Sequence, residues 1–516
     1  MYYNKFYQNT VKEGKESDCR IRRGRFFMKT SPDQQRDAPL GPRMALDLVP
    51  PGDDSHFVVA KKTKEKLPEG VTSKAMYKDI LHIAWPSFIE LMLTQLASMV
   101  DLMMVGQLGA WAITSVGLTT QPKFLMMTMF QAMNVGATAL VARHKGAGER
   151  ERANLIMRQA LVLTLILSVI GGIVVFLFAE PLVHFMGATE AATLAGGTDY
   201  LRIQALGIVT VALTSTITAS LRGAGNSRTA MLYNLTANIV NVIFNYLLIY
   251  GHFGFPRMEV AGASLATVIG QAVAMVLAFL SVMGHRNYVH LSFRDGFRPQ
   301  RHAMISIFNI GIPAMVEQIV MRVGVILYSK TVASLGTVPF ATHQVCMNIQ
   351  ALSFMNGQAF AVSATSLMGQ SLGKKRPDMA EYYTTRTRRL GMSVSILIML
   401  VFILFGGTIV GLYNDDPQIV ETGSRILMFV ALIQPFQSSQ FILAGSLRGA
   451  GDTKATAVIT LLTVLCIRPP LAMVGIHVLH WGLYGAWVAL VVDQLLRSLL
   501  VWLRFVSGKW KKVRVI

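Results

Sequence analysis

The feature that most constrains this chain is a succession of long apolar runs. ALVLTLILSVIGGIVVFLF occupies positions 160–178, and MSVSILIMLVFILFGGTIVGLY occupies positions 392–413. About 20 apolar residues in a helix span a hydrocarbon core of about 30 Å. Backbone groups in lipid must find partners within the protein, so such runs become helices. Composition agrees: 52% of residues are hydrophobic and 15% charged, against about 25% charged in a soluble domain. The expectation is an all-α polytopic membrane protein.

Twelve apolar segments can be counted. They cover 84–108, 114–142, 155–179, 200–220, 230–250 and 262–284, then 305–335, 342–370, 391–413, 424–446, 455–477 and 484–506. The loops test the count. HKGAGERER, RGAGNSR, the 285–303 loop, GKKRP through RTRR, RGAGDTK and the tail GKWKKVR are basic, whereas the opposite loops hold only Arg257. Lys and Arg collect in short cytoplasmic loops, so both termini are expected in the cytoplasm and the protein in the plasma membrane. The net charge of +20 is thereby placed at a membrane face, which argues against nucleic acid. The polar stretch 1–74 has no secretory h-region. It reads either as a disordered cytoplasmic extension or, around Arg20–Arg25, as a basic membrane-surface segment. Cys19, Cys346 and Cys466 form no metal or disulfide pattern; the last two read as small core residues.

The chain repeats itself. SLRGAG occurs at 220–225 and again at 446–451. Pro86 and Glu90 face Pro313 and Glu317, Gly109 faces Gly336, and Gly146 faces Gly373, all at 373 − 146 = 227 positions. Such anchors mean a duplication of six helices. Because six is even, both halves enter the membrane in the same sense, related by a pseudo-two-fold axis along the membrane normal. The expected units are 1–74, a first lobe over 75–300, and a second over 301–516 with its basic tail. Gly223, Gly225, Gly449 and Gly451 then read as matching hinges, with Asn226 and Asp452 as helix caps.

These motifs resemble those of the multidrug and toxic compound extrusion (MATE) transporters. VDLMMVGQLG at 100–109, LRGAGNSRTAM at 221–231, NVIFNYLLIYG at 241–251 and GASLAT at 262–267 carry the likeness in the first half, and ATHQVCMN at 341–348 and LRGAGDT in the second. The resemblance covers about 80–506. It implies a twelve-helix, two-lobe antiporter, working as a monomer without a cofactor, that expels organic cations in exchange for inward Na⁺ or H⁺.

Four acids lie well inside apolar segments: Glu90, Asp101, Glu317 and Asp493. Each costs about 2.5–3.5 kcal/mol at bilayer depth and needs a partner, a proton or water. Glu90, Thr94 and Asp101 share a helix face and could form a polar lane. The resemblance makes Asp101 the cation-coupling acid, with Asn241, Asn245 and Thr267 beside it. The bland alternatives are interhelical hydrogen bonding for the two asparagines and an ion pair with Lys123 for Asp101. Asp101 could equally carry a proton. Arg468 and Asp493 lie at similar depth and read either as a structural pair or as a gate or substrate contact. In the second half Tyr328 replaces Asp101 and Arg322 replaces Gln95, so coupling belongs to the first lobe. Glu317 either neutralises Arg322 or attracts a cationic substrate.

Pro86, Pro122, Pro313, Pro435, Pro469 and Pro470 are candidate kinks. Methionines on the first two helices read either as packing and lipid-facing residues or as an adaptable drug surface. GQSLGKKR at 369–376 fails the phosphate-loop spacing, and there is no HExxH, so nucleotide and zinc chemistry are set aside. The competing readings are a lipid-linked precursor flippase of the wider superfamily and a membrane sensor that transports nothing.

Overall fold

A computed structural model of the chain describes residues 72–188, 190–284, 287–292, 296–413 and 416–513. The extension read over 1–74 lies outside the described residues, apart from positions 72–74, as does Cys19. The first lobe contains α1 (Ser73–Gly106), α2 (Ala110–Ala147), α3 (Arg150–Leu177), the short α4 (Ala179–Phe185), α5 (Ala191–Gly223), α6 (Ser227–Tyr250) and α7 (Glu259–Met283). The second contains α8 (Arg301–Ala333), α9 (Thr337–Ser353), α10 (Met355–Gly373), α11 (Pro377–Gly411), α12 (Pro417–Ala450), α13 (Thr453–Thr460), α14 (Arg468–Met473) and α15 (Gly482–Val506).

Local chemistry sets several helix starts. The Thr72 hydroxyl accepts from the Ala75 amide at 3.3 Å, satisfying one of the donors that a helix start leaves open. Asp416 does the same for Gln418, ahead of Pro417 in the first turn. α3 shows the sidedness that lipid imposes. It exposes Ile166, Val169, Ile170, Ile173, Val174 and Leu177 while burying Asn154, Gln159 and Thr164. Polar groups are therefore kept inside, where they find protein partners.

Among the described residues, eleven crossings are long and apolar enough to span a bilayer. The twelfth is α9 and α10 together, interrupted at Phe354. Its counterpart in the first lobe, α2, runs unbroken. The break has no proline, whereas Pro86, Pro122, Pro313 and Pro435 all lie inside continuous helices. Only Pro469 and Pro470 stand beside an irregularity, a π-helical stretch over Leu461–Ile467. Proline removes the backbone donor that would have bonded one turn back, and a wider turn accommodates the loss. Cys346 is buried in the second lobe's core, but Cys466 is exposed on its helix, contrary to the core reading.

The lobes meet through a contact that obeys the repeat. A Cβ on Gly146 would collide with the carbonyl of Gln370, and one on Gly373 with the carbonyl of Arg143. Gly136 is pressed against the Ile307 carbonyl, and at the equivalent place the Ser363 hydroxyl donates to the Ile80 carbonyl at 3.2 Å. These contacts lie in the half of each helix nearest the basic loops. Gly225 (φ +78°) and Gly451 (φ +87°) make the left-handed turns after α5 and α12. Gly223 and Gly449 do something else. They let α5 and α12 approach the backbone of Thr138 and Thr365, which makes them packing positions rather than hinges.

Asn226 caps α6 by accepting from the Thr229 amide at 3.2 Å. Asp452 does not cap α13. Its carboxylate is taken by the Arg504 guanidinium of α15 at 2.8 and 3.2 Å.

Candidate functional site

α1 and α6 run side by side in constant register. Asn234 donates to Glu90 at 2.6 Å, Asn238 to Thr94 at 3.2 Å, and Asn245 to Asp101 at 2.5 Å. Each pair is 144 positions apart, as parallel helices of equal rise require. Residues three, four and seven apart share a helix face, so the asparagines of α6 form one column opposite the acids of α1.

The column ends at a junction of α1, α6 and α7. Asn241 lies between Asp101 and Thr267. Turned so that both of its ends are satisfied, its amide donates to the Asp101 carboxylate at 2.9 and 3.2 Å and accepts from the Thr267 hydroxyl at 3.2 Å. The Thr267 hydroxyl also lies 2.9 Å from the Ala263 carbonyl of its own helix, so its single proton is shared between these two acceptors. Asn245 is fully buried, yet its side-chain oxygen has no hydrogen-bond partner. An acceptor buried without a donor is costly, and it is the kind of oxygen that a hard monovalent cation would satisfy. Carboxylate, amide and hydroxyl oxygens form a suitable set for such a cation. Among the described residues no cluster of three acids, histidines or cysteines could hold a metal ion. Asp101 itself is half-buried. The Lys123 ammonium is close enough to influence it electrostatically, but among the described residues the two make no ion pair.

The other membrane acids are already partnered. Arg222 holds Glu90 at 2.7 Å, so Glu90 is not a free lower step of the lane read from α1. Arg448 holds Glu317 at 2.5 Å, with Thr456 donating to the second oxygen at 2.9 Å. Of the two readings of Glu317, this overturns the one in which it neutralises Arg322. Arg448 projects from the α12 turn toward α8, whereas Arg322 points across the lobe boundary, its guanidinium carbon 3.2 Å from the centre of the Phe124 ring. Arg468 and Arg497 both hold Asp493: Arg468 through two nitrogens, one at 3.0 Å, and Arg497 at 3.0 Å. All three are buried. The Tyr328 hydroxyl, at the place of Asp101, donates to the Ala486 carbonyl at 2.9 Å. His343 is buried between the rings of Tyr328 and Trp487.

Several of these residues had a legible signal. Glu90 and Glu317, like Arg222 and Arg448, are preserved in both halves of the repeat, which is the pattern of a paired structural unit. Arg497 lies four residues after Asp493, the spacing that places two side chains on one helix face. The asparagine column recurs at helical spacing. Phe124 had no signal, because its partner comes from the other half of the chain.

Two six-helix lobes in repeat, with one half-buried carboxylate in a polar junction, define a membrane transporter of the two-lobed kind. The comparisons narrow this class. The family model MatE matches residues 86–247 and 313–474, once in each half. The chain belongs to this family, the multidrug and toxic compound extrusion transporters.

It is 27% identical over 454 residues to a probable multidrug resistance protein NorM of Thermotoga maritima, covering 88% of this chain and 96% of that protein. It is 26% identical over 461 residues to the multidrug resistance protein PmpM of Pseudomonas aeruginosa, covering 87% and 95%. Among solved structures it resembles the outward-facing conformation of a multidrug resistance MATE family transporter, with a TM-score of 0.79 at 21% identity, covering 87% of this chain and all of that one.

Proposed function

We propose that this protein is a secondary antiporter that exports organic cations and drugs from the cell in exchange for Na⁺ or H⁺. The observation that carries the reading is the state of Asp101. It is the one acid of the four that no arginine holds, and amide and hydroxyl groups surround it. A bare carboxylate at this depth is costly, so the junction favours binding a cation or a proton. Either one takes the junction from one negative charge to none. Ion and proton compete for a single group, and its occupancy decides whether the first lobe carries a charge through the membrane.

The multidrug descriptions of the NorM and PmpM relatives support a small-molecule substrate. The basic loops support cytoplasmic termini and a multi-pass plasma-membrane protein. The reciprocal glycine contacts then close the cytoplasmic side, and export requires that they part and re-form. No resident cofactor is needed, and one chain contains both lobes.

The test is purified protein in vesicles under an imposed Na⁺ or H⁺ gradient. Gradient-dependent ethidium movement that is lost in Asp101→Asn is the expected result. Movement indifferent to both gradients sinks the reading. Varying Na⁺ at fixed pH then identifies the driving ion.

A further inference from the structure

Among the described residues, two arginines of the second lobe face aromatic rings of the first, Arg386 of α11 at 5.8 Å from the centre of Tyr77 and Arg322 at much closer range. Arg322 of α8 lies over Phe124 of α2 at 3.2 Å from the ring centre. Neither residue is fully buried. The nearest acid on its own helix, Glu317, is committed to Arg448, and among the described residues no carboxylate pairs with Arg322. The contact is also one-sided. The repeat partners of Arg322 and Phe124 are Gln95 and Ala351, which cannot form its equivalent. The reciprocal glycine contacts follow the pseudo-two-fold, but this one breaks it.

A guanidinium on an aromatic face is a planar cation held by the ring quadrupole and by stacking. A flat aromatic cation would be recognised on that face by the same two forces. One face holds one such group at a time. We propose that Phe124 is a substrate-binding residue for planar aromatic cations, and that Arg322 is a built-in competitor that a substrate must displace. This rests on the reading of the protein as an organic-cation exporter and adds a specificity-determining pair to it. Displacement would also undo the one-sided bridge between the lobes, so that arrival of substrate loosens the boundary it must cross. A cation without an aromatic plane gains less at Phe124 and is selected against.

The experiment is ethidium binding to the purified full chain in detergent, followed by fluorescence without any gradient. Arg322→Gln empties the ring face and is expected to tighten ethidium about tenfold. Phe124→Leu is expected to weaken it. The double variant is expected to match Phe124→Leu, because the benefit of removing Arg322 is gained through the ring. No tightening in Arg322→Gln overturns the proposal. So does a tightening of equal size in the Phe124→Leu background, which would mean that only charge repulsion had been removed. Thermal unfolding of each variant is measured alongside. If Arg322→Gln does not fold, Arg322→Lys takes its place. An ammonium stacks less well than a guanidinium, so a smaller tightening is expected, and none overturns the proposal. Binding that follows this pattern while vesicles show no exchange would instead count against the antiport reading.

Discussion

In the first lobe, α1, α6 and α7 meet around Asp101; in the second, their counterparts α8, the α13–α14 crossing and α15 meet around Asp493. The two junctions differ in charge. Asp101 touches two asparagines and, among the described residues, no cation. Asp493 touches two buried arginines and leaves a surplus positive charge. The column Asn234, Asn238, Asn241 and Asn245 is replaced at the repeat positions by Thr460, Val464, Ile467 and Leu471. Gly270, at the place of Asp493, is pressed against Ala237 and Asn241, so a side chain there has no room. The first junction holds an acid with no arginine beside it among the described residues, and the second carries its cations covalently. The parts the lobes share are mechanical: the Glu–Arg clasps and the glycine contacts. The duplication kept the scaffold and let the junction chemistry diverge.

The largest expected effect separates the junctions. Asp101→Asn abolishes gradient-driven efflux with expression unchanged, while Tyr328→Phe at the equivalent place leaves efflux running. Comparable loss in both variants would erase the distinction. Next come the shared parts, where the lobes must respond alike. Gly146→Ala and Gly373→Ala each overpack a backbone contact, a cost of about 1–3 kcal/mol. Each should open the basic side and raise labelling of a Ser366→Cys reporter by an impermeant maleimide. A response from only one of the two would break the symmetry argument.

The clasps are a smaller test of the same point. Glu90→Gln and Glu317→Gln each leave a partly buried arginine without its carboxylate. The cost for a fully buried pair is about 3–5 kcal/mol, and the arginines' exposure of 21% and 23% lowers it. Similar losses of thermal stability are expected from the two variants. A loss in one lobe alone would mean that the repeat does not preserve the clasp.

Helix count, the repeat and the two lobes were legible because apolar length and loop charge are properties of single segments. The placement of Asp101, Asn241, Asn245 and Thr267 came from family resemblance. Contacts that depend on how separate helices turn toward each other were harder. Glu317 has Arg322 as a candidate partner on its own helix, but Arg448 reaches it from a turn over a hundred residues away. Asp452 has the residue type of a cap, and it lost that role because α15 brings Arg504 within reach. The break at Phe354 carries no proline, and its aromatic neighbour Phe441, stacked at 5.7 Å between ring centres, comes from α12. The Arg322–Phe124 contact crosses the lobe boundary between positions whose repeat partners, Gln95 and Ala351, form no equivalent, so the repeat gives no sign of it.

The smallest expected effect concerns the surplus charge of the second junction. Arg497→Met leaves Arg468 and Asp493 paired and takes the cluster from one net positive charge to none. An apolar side chain that replaces a buried charge can be neutral or stabilising, so unfolding should shift by no more than about 1 kcal/mol. Asp493→Asn does the opposite, leaving two buried guanidiniums without a counter-ion, and should cost several times as much. Thermal unfolding of the two variants in the same detergent compares them directly. If Arg497→Met were as damaging as Asp493→Asn, the second arginine would be part of the neutralisation rather than surplus to it, and the contrast in charge between the lobes would have to be redrawn.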